Sequence, residues 1–248
     1  MILVTGGSGL VGSHLLLQLV KTHGRVRAIC REGSTIKNVL KVFSYYEKDS
    51  ITLFQKIDWV LADINDIPAL EKAFADIEYV YHAAAMISFD PGDFEQLMKI
   101  NAEGTANIVN LSVVNSIKKF CYVSTIGTIG KALNGKPADE ESEWFDDNIN
   151  VYAQSKYAAE MEVWRGSQEG LSVVMVNPGV ILGPGFWNTG TGALFKTAHK
   201  GYRFYPPGGT GFISVHDVIR MMTLLMASTI YNHRYIAVAE NLTFQEIL

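Results

Sequence analysis

Cysteine is scarce in this chain. Its 248 residues hold two, Cys30 and Cys121. They lie far apart and without metal-ligand spacing, so neither a disulfide framework nor a cysteine metal site is expected. Both fall in apolar stretches that read as buried strands, which suits reduced core residues in a cytoplasmic protein. Runs of basic residues are also missing, and the net charge is −4. Nucleic acid is therefore not an expected partner. No apolar run reaches the ~18 residues of a membrane span. The apolar N-terminal stretch lacks the basic flank of a signal peptide and is broken by glycines. Membrane association is not expected either. There is no internal repeat and no low-complexity segment. What remains is a chain that is 48% hydrophobic. It can bury a large core, as one large domain or two small ones.

The first twelve residues organise the rest. Met1 to Val4 are apolar and run into Thr5-Gly6-Gly7-Ser8-Gly9-Leu10-Val11-Gly12, after which apolar residues recur to Val20. This order reads as buried strand, tight loop and helix. Gly7, Gly9 and Gly12 fit G-x-G-x-x-G, while Gly6, Gly9 and Gly12 fit G-x-x-G-x-x-G. The pattern suits a dinucleotide pyrophosphate seated on the free N–H groups of a helix N-terminus. A side chain in the loop would hold the phosphate away, and one at Gly12 would hold the helix off the strand. The competing reading is a structural glycine turn.

A second strand is expected over Arg25 to Cys30. The position at its end selects the cofactor, because an acid there bonds the ribose 2′-hydroxyl of NAD. Cys30 stands there instead, followed by Arg31 and Glu32. The guanidinium of Arg31 suits a 2′-phosphate, so NADP(H) is expected over NAD(H). Alternatives are that Arg31 is a solvated charge with Glu32 on the ribose, or that Arg27 binds the phosphate. Residues 34–48 suggest an inserted helix. A third strand over Trp59 to Ile64 carries Asp63, placed to accept from an adenine amino group or to serve the following helix, 67–74, as an N-terminal acid. A fourth strand over Tyr79 to His82 leads into Ala83-Ala84-Ala85, small enough for a close-lying cofactor. His82 is expected as a packed core histidine. A long helix is expected over Asp93 to Ser116 with Asn101 near its middle, then a fifth strand over Lys119 to Ser124. Strand and helix alternate throughout, which specifies a doubly wound parallel α/β sheet. Thr5, Asp63, Ala83 and Ser124 fall at strand carboxyl ends and should converge on one crevice.

Residues 127–150 read as a loop over that crevice. The next segment, Val151 to Glu160, is helix-forming and places Tyr152 and Lys156 on one face. A phenol titrates near ~10. A nearby ammonium favours the phenolate, which would let Tyr152 exchange a proton with a carbonyl or alcohol oxygen. A hydroxyl at Ser124 or Thr125 would orient the same oxygen. Beyond a sixth strand, Leu171 to Val176, the segment from Asn177 and Pro178 through Gly179 and Val180 to Gly185 is too rich in Pro and Gly to remain in a sheet. The division expected is a dinucleotide-binding domain over 1–176 and a small substrate-binding region over 177–248, with some elements returning to the first. In that region Phe186, Trp187, Tyr205 and Phe212 form either an apolar pocket or a local core. Helices are expected near 193–200 and 215–228, the second with His216 and Asp217 in its first turn. Thr243 and Glu246 form a capping box close to Leu248. A helix that short is unstable alone, so further chain is expected beyond it.

Three signatures together, Thr5 to Gly12, Tyr122-Val123-Ser124-Thr125 and Tyr152-Ala153-Gln154-Ser155-Lys156, resemble the extended short-chain dehydrogenase/reductases, the epimerase/dehydratase family. Asp63-Ile64, His82 to Ala85 and Asn101 to Thr105 match its adenine- and nicotinamide-side segments. Ser155-Lys156-x-x-Ala159-Glu160 and Asn177-Pro178 with Gly183-Pro184 look most like its dihydroflavonol and cinnamoyl-CoA reductase branch, which generally uses NADPH with an arginine at the place of Arg31. The resemblance implies Tyr152 as proton donor or acceptor, Lys156 as its partner and ribose ligand, and Thr125 as the active hydroxyl with Ser124 in reserve. By the same resemblance the cofactor is bound by Thr5, Gly6, Gly9, Leu10, Val11, Gly12, Arg31, Asp63, Ile64, Ala83, Ala84, Ala85, Asn101, Ser124, Tyr152, Lys156, Pro178, Gly179 and Val180. It implies a homodimer through residues 93–116 and 151–168, a small-molecule substrate and no metal. The activity expected is carbonyl reduction or alcohol oxidation with NADP(H), NAD(H) being possible. A sugar-nucleotide epimerase or dehydratase is the alternative, and a non-enzymatic nucleotide-binding scaffold is a third.

Overall fold

Strand β1 (Ile2–Thr5) is buried at all four positions. Ile2 and Val4 join one apolar cluster and Leu3 joins another. A strand apolar on both faces needs cover on both, which a parallel sheet clad by helices provides. The structure is a computed structural model and describes residues 1–130, 137–144, 150–201, 205 and 207–247.

From β1 the chain passes to α1 (Leu10–His23), β2 (Val26–Cys30), α2 (Lys37–Tyr46), α3 (Ser50–Phe54), β3 (Ile57–Leu61), α4 (Ile67–Ala73) and β4 (Tyr79–His82). A short α5 (Phe94–Leu97), a π-helical stretch (Met98–Glu103) and α6 (Gly104–Val114) precede β5 (Lys119–Val123) and α7 (Val151–Gln168). Then come β6 (Val173–Pro178), β7 (Val180–Leu182), α8 (Gly190–His199), β8 (Gly209–Ser214), α9 (Val215–Ala227), β9 (His233–Ala237), β10 (Glu240–Thr243) and α10 (Phe244–Ile247). Among the described residues the main sheet has seven parallel strands in the order β3-β2-β1-β4-β5-β6-β9. Helices α1, α2 and α9 contribute to the cluster on one face, and α4, α6 and α7 to that on the other. The chain winds outward from β1 to β3 and returns to β4 on the far side of β1. The carboxyl ends of β1 and β4 therefore part to leave a crevice.

Several elements differ from the sequence expectations. The helix expected over residues 93–116 is broken into α5, the π-helical stretch and α6. Strand β3 ends at Leu61, so Asp63 lies in the turn beyond it. Asn177 and Pro178 stay in the main sheet, paired with Ile236 and Ala237. Pro178 is tolerated as the last residue of β6, and the Gly179 N–H takes up the pairing to Ala237 O at 3.0 Å. Val180 to Leu182 pair with β8, which β10 flanks on its other side. The aromatic quartet shares no core. Phe212 is buried, whereas Trp187 and Tyr205 are exposed. The capping box forms, with Thr243 N–H donating to Glu246 Oε2 at 2.8 Å and Glu246 N–H to Thr243 Oγ1 at 3.3 Å. In the expected loop over 127–150, residues 131–136 and 145–149 lie outside the described residues.

Candidate active site

The glycine turn is shaped by close backbone approach. Gly6 has φ +68°, and a Cβ there would lie 2.6 Å from the Ala83 carbonyl and the Ala84 nitrogen. A Cβ at Gly12 would lie 2.1 Å from Gly6 O. A Cβ at Gly7 would meet side-chain atoms only, at 3.0 Å or more. The geometry therefore uses the 6, 9, 12 spacing. Gly9 N–H closes the turn on Gly6 O at 3.0 Å. No side chain caps α1, which suits its first N–H groups to an anion.

A crevice of about 460 Å³ opens beyond this turn. Gly6, Gly9, Arg31, Asp63, Ile64, Ala83, Ala84 and Ala85 all line it. Arg31 is exposed, and its main-chain N–H donates to Ser34 Oγ at 3.1 Å. Asp66, not Asp63, caps α4 by accepting from Ala69 N–H. Asp63 accepts from Asn65 N–H at 2.9 Å. Arg27 is drawn away, paired with Asp58 at 3.0 Å and bonded to the carbonyls of Ala73 and Ala75. The crevice spans the switch point, has the small residues Ala83, Ala84 and Ala85 in its wall and begins at a turn where a Cβ at Gly6 or Gly12 would meet backbone. These features fit a dinucleotide.

Beneath the crevice Thr5 Oγ1 accepts from Ala84 N–H at 3.2 Å and meets His82 Nδ1 at 2.6 Å. His82 Nε2 meets Thr105 Oγ1 at 2.9 Å. Every atom is satisfied if Thr5 donates to Nδ1 and the neutral ring donates from Nε2. Burial pushes the imidazole down to about 3, with a further contribution from Lys156. His82 is a packed, neutral core histidine.

Helix α7 begins at Asn150, whose Oδ1 accepts from Ala153 N–H at 2.9 Å. Asn101, in the π-helical stretch, braces it. Its Nδ2 donates to Ser155 Oγ at 2.9 Å and to Met86 O at 3.0 Å, and its Oδ1 accepts from Met86 N–H at 2.8 Å. A π-helical turn of this kind often marks a functional position. Tyr152 is half-buried, with the Phe89 ring edge-on at 5.7 Å. Lys156 is buried, donates from Nζ to Val123 O at 2.9 Å and lies over the Tyr122 ring at 4.3 Å. The sequence expectation of a lowered phenol pKa is corrected here. Burial pushes Tyr152 up to about 12, while burial pushes Lys156 down to about 7 against an opposing pull from Glu160. Desolvation outweighs the helical spacing of the pair.

The two strand-end hydroxyls separate. Ser124 is buried and donates to Glu160 Oε1 at 2.5 Å. Thr125 is half-buried, and its Oγ1 accepts from Gly127 N–H at 3.2 Å. Ser124 therefore does not join the crevice as expected. Leu10 and Val11 form the first turn of α1, and Pro178 closes β6. Gly179 lies against the Gly211 carbonyl, and Val180 faces a small apolar cavity with Phe212. None of these five, nor Thr5, Gly12, Asn101, Ser124, Thr125, Tyr152 or Lys156, is among the residues lining the crevice. The buried cluster of Glu160, Thr128, Asn177 and Arg234 was not foreseen. Its sequence signals are the four-residue recurrence of Tyr152, Lys156 and Glu160 and the two motifs that carry Glu160 and Asn177.

Fold and site together define a dinucleotide-binding α/β enzyme of the NAD(P)-dependent oxidoreductase type. The chain belongs to the NAD dependent epimerase/dehydratase family, whose profile it matches over residues 2–236. It is 32% identical over 254 residues to a Synechocystis protein named "Putative dihydroflavonol 4-reductase", covering 99% of this chain and 69% of that one. It is 25% identical to cinnamoyl-CoA reductase 1 of Oryza sativa, covering 100% and 74%. The yeast methylglyoxal/isovaleraldehyde reductase Gre2, solved with NADPH, shares the fold at a TM-score of 0.82 and 21% identity, covering 99% and 80%. Among the described residues no helix is long and apolar enough to cross a membrane.

Proposed function

We propose that the chain is an NADP(H)-preferring oxidoreductase that reduces the carbonyl of a small organic substrate or oxidises the corresponding alcohol. One observation carries the reading. Helix α7 sets Tyr152 and Lys156 one turn apart, with Lys156 Nζ on the last carbonyl of β5, and Asn101 ties the same helix through Ser155 to Met86 in the wall of the crevice. The reductase relatives support this reaction class. In this reading Gly6, Gly9 and the first N–H groups of α1 hold the pyrophosphate, Arg31 the 2′-phosphate, Asp63 and Ile64 the adenine, and Ala83 to Ala85 the middle of the cofactor. A bound nicotinamide supplies or takes the hydride. Tyr152 Oη, a phenol protonated at neutral pH and pushed further up by burial, gives the substrate oxygen its proton. Thr125 Oγ1 orients that oxygen. Lys156 holds the ribose and provides the cation that eases proton loss from Tyr152.

The test starts with the purified protein. It is denatured to identify any released nucleotide, and the nucleotide-free protein is titrated with NADPH and NADH. A panel of carbonyl compounds follows, with wild type and Tyr152→Phe. The expected result is little retained nucleotide, NADPH bound about tenfold tighter or more, and turnover that falls by about 100-fold or more in Tyr152→Phe with NADPH affinity nearly unchanged. Stoichiometric retained NAD would overturn this reading in favour of an epimerase or dehydratase. Unimpaired turnover by Tyr152→Phe would refute the role given to the phenol.

A further inference from the structure

Glu160 takes no part in the chemistry just outlined, yet it is fully enclosed, with 0% of its surface exposed. It lies one helical turn beyond Lys156 and two beyond Tyr152 on the same face of α7. Its Oε1 accepts from Ser124 Oγ at 2.5 Å, Thr128 Oγ1 at 2.5 Å and Asn177 Nδ2 at 2.6 Å. Its Oε2 meets Arg234 Nη1 at 3.4 Å. The end of β5, the turn after it, β6 and β9 thus meet α7 at one carboxylate. Burying such a group is costly, and an apolar side chain of similar size often serves packing as well or better. The arrangement calls for a role in which the charge matters.

We propose that Glu160 is the positioning residue of the reaction centre. It turns the Ser124 hydroxyl inward, leaving Thr125 as the strand-end hydroxyl for the substrate oxygen, and it sets its negative charge beside the Lys156 ammonium. The kinetic part of this inference rests on the oxidoreductase reading, and the electrostatic part does not. The groups around Lys156 are few. Tyr122 lies beneath it from β5, and Tyr152 precedes it on α7. His82 of β4 is near enough to feel its charge. These three are neutral at pH 7. Glu160 is the anion that acts on Lys156 against desolvation. Arg234 lies across the carboxylate and draws on the same anion. It also donates to Glu140 O from Nε at 2.9 Å and Nη2 at 2.6 Å. The Glu140 carboxylate itself accepts from Ile236 N–H at 2.9 Å.

The two charges predict opposite signs. Removing the anion in Glu160→Gln makes Lys156 lose its proton at lower pH. Removing the competing cation in Arg234→Gln makes Lys156 lose it at higher pH. A merely structural network gives no such opposition.

The experiment uses the whole chain as wild type, Glu160→Gln, Glu160→Asp and Arg234→Gln. It reads the pH profile of kcat on a carbonyl substrate from the panel, and the thermal midpoint against pH without nucleotide. The Glu160→Gln profile is expected to move acid-ward by about one pH unit. Its kcat at pH 7 falls by about tenfold or more, while KM and NADPH affinity stay within about threefold. Glu160→Asp restores part of the loss, and Arg234→Gln moves the profile alkaline-ward. In the midpoint curves, Lys156 binds protons less readily folded than unfolded, so stability rises with pH across its window. That rise begins at lower pH in Glu160→Gln and at higher pH in Arg234→Gln. If Glu160→Gln does not fold, the signs in Glu160→Asp and Arg234→Gln decide. Wild-type pH dependence in the variants, or a uniform loss of midpoint with unshifted profiles, overturns the proposal. A wild type that turns over no carbonyl, with midpoint curves shifted as described, overturns the oxidoreductase reading and upholds the electrostatic role.

Discussion

At Arg31 one side chain decides which dinucleotide the crevice favours under the proposed reading. Its guanidinium belongs to an exposed residue lining the crevice, where an acid would suit a free ribose. Arg31→Ala is expected to weaken NADPH binding by about 10- to 100-fold, the ~1.5–3 kcal/mol of hydrogen bonds to a charged group. NADH binding should change by less than about threefold. Fluorescence titration measures both, and equal weakening of the two would make Arg31 an ordinary solvated charge. Sequence spacing reached the place of Arg31 on the crevice wall, the 6, 9, 12 glycines and the packed core role of His82, because each follows from local geometry or residue type. It did not reach the proton affinities of Tyr152 and Lys156. Those depend on desolvation by Tyr122, Phe89 and the end of β5, which only the assembled fold brings together. Ser124 was misplaced for the same reason, since its partner Glu160 lies 36 residues away.

Elements show the same division between local and distant causes. The buried strands announced themselves as apolar runs, and α9 as an amphipathic repeat; its cap, Ser214, which accepts from His216 N–H, comes from the structure. What ends α9 was not visible in the sequence. Lys119, on β5 and buried, donates to Leu225 O at 2.6 Å and Ser228 O at 2.8 Å. Its ammonium serves the open carbonyls and negative dipole at the end of the helix. Lys119→Met keeps the apolar stem but strips Ser228 O of this donor, while Leu225 O keeps the Ser228 N–H and Oγ. It is expected to cost about 1–3 kcal/mol, read as a lower thermal midpoint, with the NADPH dissociation constant unchanged at temperatures where the protein stays folded. An undiminished midpoint would show that water replaces the lysine at no cost. The π-helical stretch and β7 escaped the sequence reading on similar grounds. Asn101 is drawn inward by Met86 and Ser155, and Val180 to Leu182 find a partner only when β8 arrives.

For the whole molecule, folding traps basic groups in their neutral forms, and acid pulls the other way. His82 titrates at about 3 in the folded chain against 6.5 when solvated. His14 is lowered chiefly by burial, helped by the nearby His216 and opposed by its bond to Leu10 O. For a base with a depressed folded pKa, the unfolded state binds more protons between the two values, so stability rises with pH through that window. For His82 the window runs from about 3 to 6.5, with a slope of at most about 1.4 kcal/mol per pH unit. The consequence is an acid-labile fold. A proton on Nδ1 would reverse the bond to Thr5 Oγ1, which would accept from Nδ1 as well as from Ala84 N–H and lose the ring as acceptor for its own hydrogen, so a buried charge and an unplaced hydroxyl hydrogen would weaken the tie between β1 and β4. The thermal midpoint should fall steadily as the pH drops from 6.5 to 4. His82→Gln, which can still accept and donate but does not titrate there, should lower the midpoint near neutrality and flatten its pH dependence. An equally steep dependence in His82→Gln would place the acid sensitivity elsewhere and remove His82 as its source.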